Sequence, residues 1–233
     1  MDSSYYLKEL DETGPAWEAL LRKLLVGAPG KKVLDVGCGS GFLSVLLGQM
    51  GYQVKGIDNY PMMIRLCKGT AEAYGLSDRL EFEEGEAAWM VEATDTFDIV
   101  VSRYSSFLFQ MPEECMRECR RVLKPGGIFL NFDMNWMAPV LNPQVAEEFY
   151  QDGCEYASRG GRLTDMYSSV EILEGLQKLP MSNLDRPAWD VEFLKEIGYS
   201  EVSADFYPDA GLWNELLSLR YRSIPPFAVR AVK

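Results

Sequence analysis

Apolar positions in this chain switch repeatedly between short runs and stripes spaced by three and four. Val33-Leu34-Asp35-Val36 is the first run and predicts a buried strand, which Gly37, Gly39 and Gly41 turn into the helical stripe Phe42, Leu43, Val45, Leu46, Leu47. The alternation then recurs. Tyr52–Asp58 reads as a second strand, Pro61 to about Tyr74 as a helix ending near Gly75, and Leu80–Glu83 as a third strand. Thr96–Ser102 is a fourth strand. Met111–Leu123 is a helix with Glu113 and Glu114 at its start and Arg117, Arg120 and Arg121 at its end, as the helix dipole prefers. Ile128–Asp133 follows as a fifth strand, and Trp189–Tyr199 as a helix closed at Gly198. Glu201–Tyr207 and Pro226–Val232 are two further strands, with a helix over 211–222 between them. Strands alternating with helices predict an α/β fold built on a doubly wound sheet.

Two segments stand outside this rhythm. Residues 1–14 are polar and carry Tyr5 and Tyr6, and Gly14-Pro15 separates them from a helical stripe, Trp17, Leu20, Leu21, Leu24, Leu25, that ends at Gly27. The expectation is a frayed tail followed by a helix packed beside the sheet. Residues 134–188 are rich in Met, Trp, Tyr and Asn, contain Gly160-Gly161 and several prolines, and offer only weak helices near 143–151 and 168–178. An insertion after the fifth strand lies over the carboxyl ends of the strands, so it is expected to act as a lid.

The corner after the first strand carries the chemistry. A glycine turn between strand and helix lets a ligand approach backbone N–H groups at a helix N-terminus. The spacing is G-x-G-x-G, and Phe42 stands where a dinucleotide fingerprint wants its last glycine. Asp35 inside the strand would repel a pyrophosphate and suit an ammonium group. Both features lean away from NAD. Asp58, twenty-three positions on, ends the second strand and can accept from two ribose hydroxyls, as such an acid also does in NAD enzymes.

Asp35-Val36-Gly37-Cys38-Gly39-Ser40-Gly41 resembles the first motif of class I S-adenosylmethionine-dependent methyltransferases. Later segments are similar to that family in order: Asp58-Asn59-Tyr60-Pro61-Met62-Met63 to D-x-x-P-x-M, Gly85-Glu86-Ala87 to G-D-A, Phe97-Asp98-Ile99-Val100 to F-D-x-V, and Arg121-Val122-Leu123-Lys124-Pro125-Gly126-Gly127 to R-x-L-K-P-G-G. Glu86 departs from the family's Asp. The resemblance covers residues 30–133 and 189–233. It implies a Rossmann-like seven-stranded sheet with an antiparallel last strand, in one methyltransferase domain. That domain would comprise an N-terminal helical segment (1–29), a cofactor-binding core (30–133), the lid (134–188) and the rest of the sheet (189–233).

The cofactor set implied is Asp35, Gly37, Cys38, Gly39, Gly41, Asp58, Asn59, Met63, Glu86, Ala87 and Ser102, with Glu86 facing the adenine amine and Ala87 N–H a ring nitrogen. The acceptor would be a small molecule methylated on N, O or S by in-line displacement. Tyr6, Arg103, Tyr104 and Trp136 are the candidates for a catalytic role, and Asn135 and Tyr156 are further candidate lid liners. Arg103 either anchors an anionic group of the acceptor or pairs with a surface acid. Tyr5 and Tyr6 either cover the site or merely pack.

Composition narrows the picture. A net charge of −12 over 233 residues disfavours nucleic acid and anionic membranes as partners. No run of eighteen apolar residues and no leader pattern is present, so the expectation is a soluble, cytoplasmic protein. Five cysteines without a C-x-x-C pair read as reduced thiols, and Cys115 and Cys119 as packing residues with no metal. Histidine is absent, which removes Ser-His, Cys-His and His-metal mechanisms and methylation that needs a His base. Amine, thiol and acidic hydroxyl acceptors stay open. The rival readings are a cofactor-binding enzyme of other chemistry on the same fold, and a non-catalytic binding protein.

Overall fold

A computed structural model of the chain describes residues 3–163, 167, 169–207 and 211–233, the side chains of residues 3–7 excepted. Its strands are β1 (Lys32–Val36), β2 (Gln53–Asp58), β3 (Leu80–Glu84), β4 (Phe97–Arg103), β5 (Leu123–Asp133), β6 (Ser200–Phe206) and β7 (Phe227–Val232). They form one seven-stranded sheet in the order β3-β2-β1-β4-β5-β7-β6. β1 is parallel to both β2 and β4, with Asp35 opposite Gly56 on one side and Val101 on the other. β7 lies antiparallel between β5 and β6. Strand order reverses between β1 and β4, which makes the carboxyl ends of these two strands the natural ligand crevice.

Helices cover both faces. On one lie α1 (Ser3–Leu24), α2 (Phe42–Gln49) and α3 (Pro61–Ala73). Every residue of α2 from Phe42 to Gly48 is buried, because the helix is roofed by α1 as well as floored by the sheet. On the other face lie α4 (Pro112–Val122) and α8 (Ala188–Glu196). α4 turns Cys115, Met116, Cys119 and Val122 inward, so the two cysteines pack as apolar residues.

Three sequence expectations shift. The helix near the N-terminus does not start after Pro15; α1 runs straight through Gly14-Pro15. Leu10, Trp17, Leu21 and Leu24 keep one helical phase across the proline, and all are buried. Their packing outweighs the hydrogen bond that proline removes. β5 begins at Leu123, before the glycines, because Leu123 pairs with Phe97 of β4; Gly126 N–H then donates to Lys233 O at 2.8 Å and Lys233 N–H to Gly127 O at 2.9 Å. The helix expected over 211–222 contracts to α9 (Glu215–Arg220), capped by Asn214.

The segment after β5 forms α5 (Ala138–Leu141), α6 (Pro143–Ser158) and α7 (Val170–Leu176), and then a 3-10 turn at Pro180–Asn183. Asn142 and Ser169 accept from first-turn N–H groups of α6 and α7. A buried ionic cluster fastens its far end to the sheet. Arg186, 3% exposed, donates to Asp133 Oδ2 at 2.7 Å and to both oxygens of Asp190 at 2.7 and 2.8 Å. Its other terminal nitrogen meets Ser106 Oγ at 3.0 Å, and Ser106 also accepts from Asn131. One guanidinium thus holds the end of β5, the start of α8 and the 3-10 turn Ser106–Leu108 together.

Candidate binding cleft

At the carboxyl ends of β1, β2 and β4 the sheet opens into a cleft of about 770 Å³. Its floor is the glycine turn. Gly37 and Cys38 both donate backbone hydrogen bonds to Ile57 O, at 2.8 and 3.0 Å, which clamps the turn to the end of β2. Gly37 sits at φ +66°, and a methyl group on it would come within 2.4 Å of Ser105 Oγ. Both backbone and space therefore require glycine there. Gly41, at φ +85°, lies against Cys67 behind the turn and shapes it without lining the cleft.

Asp58 points across the turn. Its Oδ2 accepts from Gly39 N–H at 3.0 Å and its Oδ1 from Tyr60 N–H at 2.9 Å. It is not the cap of α3, a place taken by Tyr60. Each carboxylate oxygen retains a lone pair for a ligand hydroxyl. Beside it Asn59 Nδ2 donates to Glu86 Oε1 at 3.2 Å, so the second and third strand ends are joined by side chains that both line the cleft. Met63, Gly85 and Ala87 complete that end.

Asp35 is 2% exposed and lines the same space. Burial pushes its pKa up to about 6, opposed by hydrogen bonds with Ser44, whose hydroxyl donates to Oδ2 at 2.7 Å.

Arg103, at the end of β4, settles between its two sequence readings. Its guanidinium pairs with Glu9 of α1, not with a surface acid: the two side chains are only 11% and 15% exposed. It rests 3.9 Å from the centre of the Phe42 ring, 4.8 Å from Trp17 and 4.6 Å from Tyr104. Four carboxylates (Glu9, Asp35, Asp58, Glu86) thus line the cleft against one guanidinium, and that guanidinium is already matched.

Tyr104 occupies a left-handed backbone conformation, φ +53°, rare for an aromatic residue. Its ring stacks on Trp213 at 5.1 Å and 3°. Burial raises its phenol well above the usual range, so it is held protonated and does not fit the role of base. Ser102 and Trp136 are not brought into the cleft. Ser102 is buried inside the sheet and shares a 2.7 Å hydrogen bond with Ser105, which lines the cleft in its place. Trp136 is turned away because its Nε1–H donates to Asp133 Oδ1 at 2.7 Å. The side chain of Tyr6, like that of Tyr5, lies outside the described residues.

Asp35, Gly37, Cys38, Gly39, Asp58, Asn59, Met63, Glu86, Ala87, Arg103 and Tyr104 are therefore gathered around one space. Among the described residues none of 134–188, the segment expected to be a lid, lines this space: Tyr156 reaches neither it nor a second pocket within that segment, whereas Asn135 lines the latter. Glu9 was missed as a liner, and Trp213 lines the cleft from the 211–222 connection, which leaves from the cleft side. A signal for Glu9 existed in the helical phase that Leu10 shares with Trp17. Trp213 is brought in by Trp17, whose Nε1–H donates to Leu212 O at 3.0 Å across the whole chain.

An acid-rich cleft with a glycine-turn floor and no free cation among its described liners fits a cationic, phosphate-free nucleoside and not a pyrophosphate. Fold and cleft together define a doubly wound α/β protein with an acid-lined ligand cleft at its switch point. Residues 28–186 match the family model described as Methyltransferase domain, and the chain belongs to that family, the class I S-adenosylmethionine-dependent methyltransferases. It is similar to the sterol 24-C-methyltransferase of Yarrowia lipolytica, with 25% identity over 193 residues, 82% of this chain and 48% of that one. It is also similar to the norajmaline N-methyltransferase of Rauvolfia serpentina, 28% identical over 180 residues that cover 74% and 60% of the two chains. Among solved structures, a SAM-dependent methyltransferase from Aquifex aeolicus shares the fold at a TM-score of 0.62, with 18% identity over 100% of this chain and 98% of that one. The chain spans about half the length of the curated relatives it matches.

Proposed function

We propose that this protein transfers the methyl group of S-adenosylmethionine to a small-molecule acceptor in the cytoplasm, by in-line displacement at N, O or S. The observation that carries the reading is the pair Asp35 and Asp58 facing one crevice from either side of the glycine turn. Asp58 would take the ribose hydroxyls, Glu86 and the Ala87 N–H the adenine edge, and Asp35 the methionyl ammonium. Bound S-adenosylmethionine supplies a methyl on a sulfonium already activated for displacement, so no protein nucleophile is needed.

What the chain contributes is position and exclusion of water. The remaining wall, from Tyr104 and Leu108–Met111 to Trp213, would hold the acceptor. The chain's phenols and thiols there are poor bases: burial raises Tyr104 and pushes the Cys115 thiol up to about 12. Glu9 is committed to Arg103. Among the described residues this wall offers no uncommitted base, so the acceptor brings its own nucleophile, as an amine, thiolate or acidic hydroxyl. The ground for an anionic acceptor, an unpaired Arg103, is gone. Names of relatives that act on a sterol and on an alkaloid support a small organic acceptor.

The test is incubation with methyl-labelled S-adenosylmethionine and fractionated metabolite extract. Labelled product should appear with S-adenosylhomocysteine in equal amounts. Tight cofactor binding with no product from any fraction would count against transfer.

A further inference from the structure

Under the lid lies a second pocket of about 410 Å³, within the range of small-molecule sites. Its walls are Phe107, Met134, Trp136, Met137, Ala138, Leu141, Val145, Met181 and Leu184, with Asn and Ser side chains between them. Three methionines make an adaptable lining. The Arg186 at its base carries no spare charge, being matched by Asp133 and Asp190, and the remaining ionisable liner is the exposed Asp185. Such a pocket accepts an uncharged apolar group and disfavours an anion.

A thin partition separates it from the cleft. The 3-10 turn Ser106–Leu108 sends Phe107 into the lid pocket and Leu108 into the cleft. Trp136, lining the pocket, meets the edge of Tyr104, lining the cleft, at 5.7 Å, and Phe107 lies 5.3 Å from Trp136. Trp136 is pinned by Asp133 through its Nε1–H, whereas the Phe107 ring is half-buried and held in the wall by packing on Trp136. Leu108 and Leu141 are 48% and 50% exposed, which gives both openings an apolar rim.

We propose that the lid pocket receives the apolar end of the methyl acceptor, so that the substrate is an elongated, largely hydrocarbon or aromatic molecule with its nucleophile at one end. This rests on the cleft being the methyl-donor site. The probe is prodan, a neutral naphthalene dye with environment-sensitive emission, titrated into protein saturated with S-adenosylhomocysteine. Wild type should bind it with a blue shift. Ala138→Trp and Val145→Phe, which fill the pocket, should each weaken prodan at least tenfold while S-adenosylhomocysteine affinity, measured by calorimetry, stays within twofold.

Phe107→Ala should strengthen prodan severalfold if the two spaces join. Unchanged or weaker binding would mean that Phe107 is a plain wall, and would sever the pocket from the acceptor. Wild-type prodan affinity in both filled variants, or displacement of prodan by S-adenosylhomocysteine in wild type, would overturn the site itself. Failure of S-adenosylhomocysteine to bind wild type would instead strike the donor reading, and the effect of the filling variants on prodan would still be read.

Discussion

Asp58 Oδ2 accepts the Gly39 N–H at 3.0 Å, which locks the acid at the end of β2 onto the turn after β1. One carboxylate thereby shapes the floor of the cleft and lines it. Asp58→Ala should weaken S-adenosylmethionine binding by roughly 1–3 kcal/mol, because two ribose hydroxyls lose a charged acceptor and a turn N–H is left unpaired. Calorimetry returning the wild-type affinity would refute the ribose role.

Asp35 makes binding depend on pH. With its pKa raised to about 6, the folded protein without ligand holds a proton there that the unfolded chain releases near 3.8. Its contribution to stability is thus present below about pH 4 and lost as pH rises to about 6, an effect of up to roughly 3 kcal/mol. A cationic donor favours the ionised form. Affinity for S-adenosylmethionine should therefore climb as pH rises from 5 to 7, with proton release on binding near pH 6. Asp35→Asn should flatten that climb, and a slope that persists in the variant would assign it to another group.

Glu9 neutralises Arg103, the one guanidinium among the described cleft liners. Glu9→Gln leaves the guanidinium without its counter-ion, so the cationic sulfonium should lose affinity relative to neutral S-adenosylhomocysteine by about threefold, a ratio that shrinks with added salt. Equal effects on both ligands would point to a purely structural pair.

Arg186 should be felt as stability. Arg186→Met strips the counter-ion from Asp133 and Asp190, both 1% exposed or less, and should cost roughly 3–5 kcal/mol by denaturant unfolding. A loss under 1 kcal/mol would show that the lid is fastened elsewhere.

Much was legible in the chain because it depended on neighbours in sequence. The strand-turn-helix at 33–47, the acids at Asp35 and Asp58, and the alternation of strands with helices are written in local periodicity and glycine placement, whereas Glu86 and the seven-stranded sheet with its antiparallel β7 were what the family resemblance implied. Even α1 was half visible, its phase merely interrupted by Pro15. The rest depended on contacts between distant segments. Nothing local says that Glu9 meets Arg103 94 positions away, that Asp133 turns Trp136 from the cleft, or that Ser105 stands in for the buried Ser102. A side chain's chemistry is set by its own atoms, but its partner, its burial and hence its charge state are set by what the packed sheet and helices bring beside it. The local pattern therefore determined the glycine-turn corner and the acids on it, while only the tertiary structure decided which groups of the cleft are already paired and which are left free.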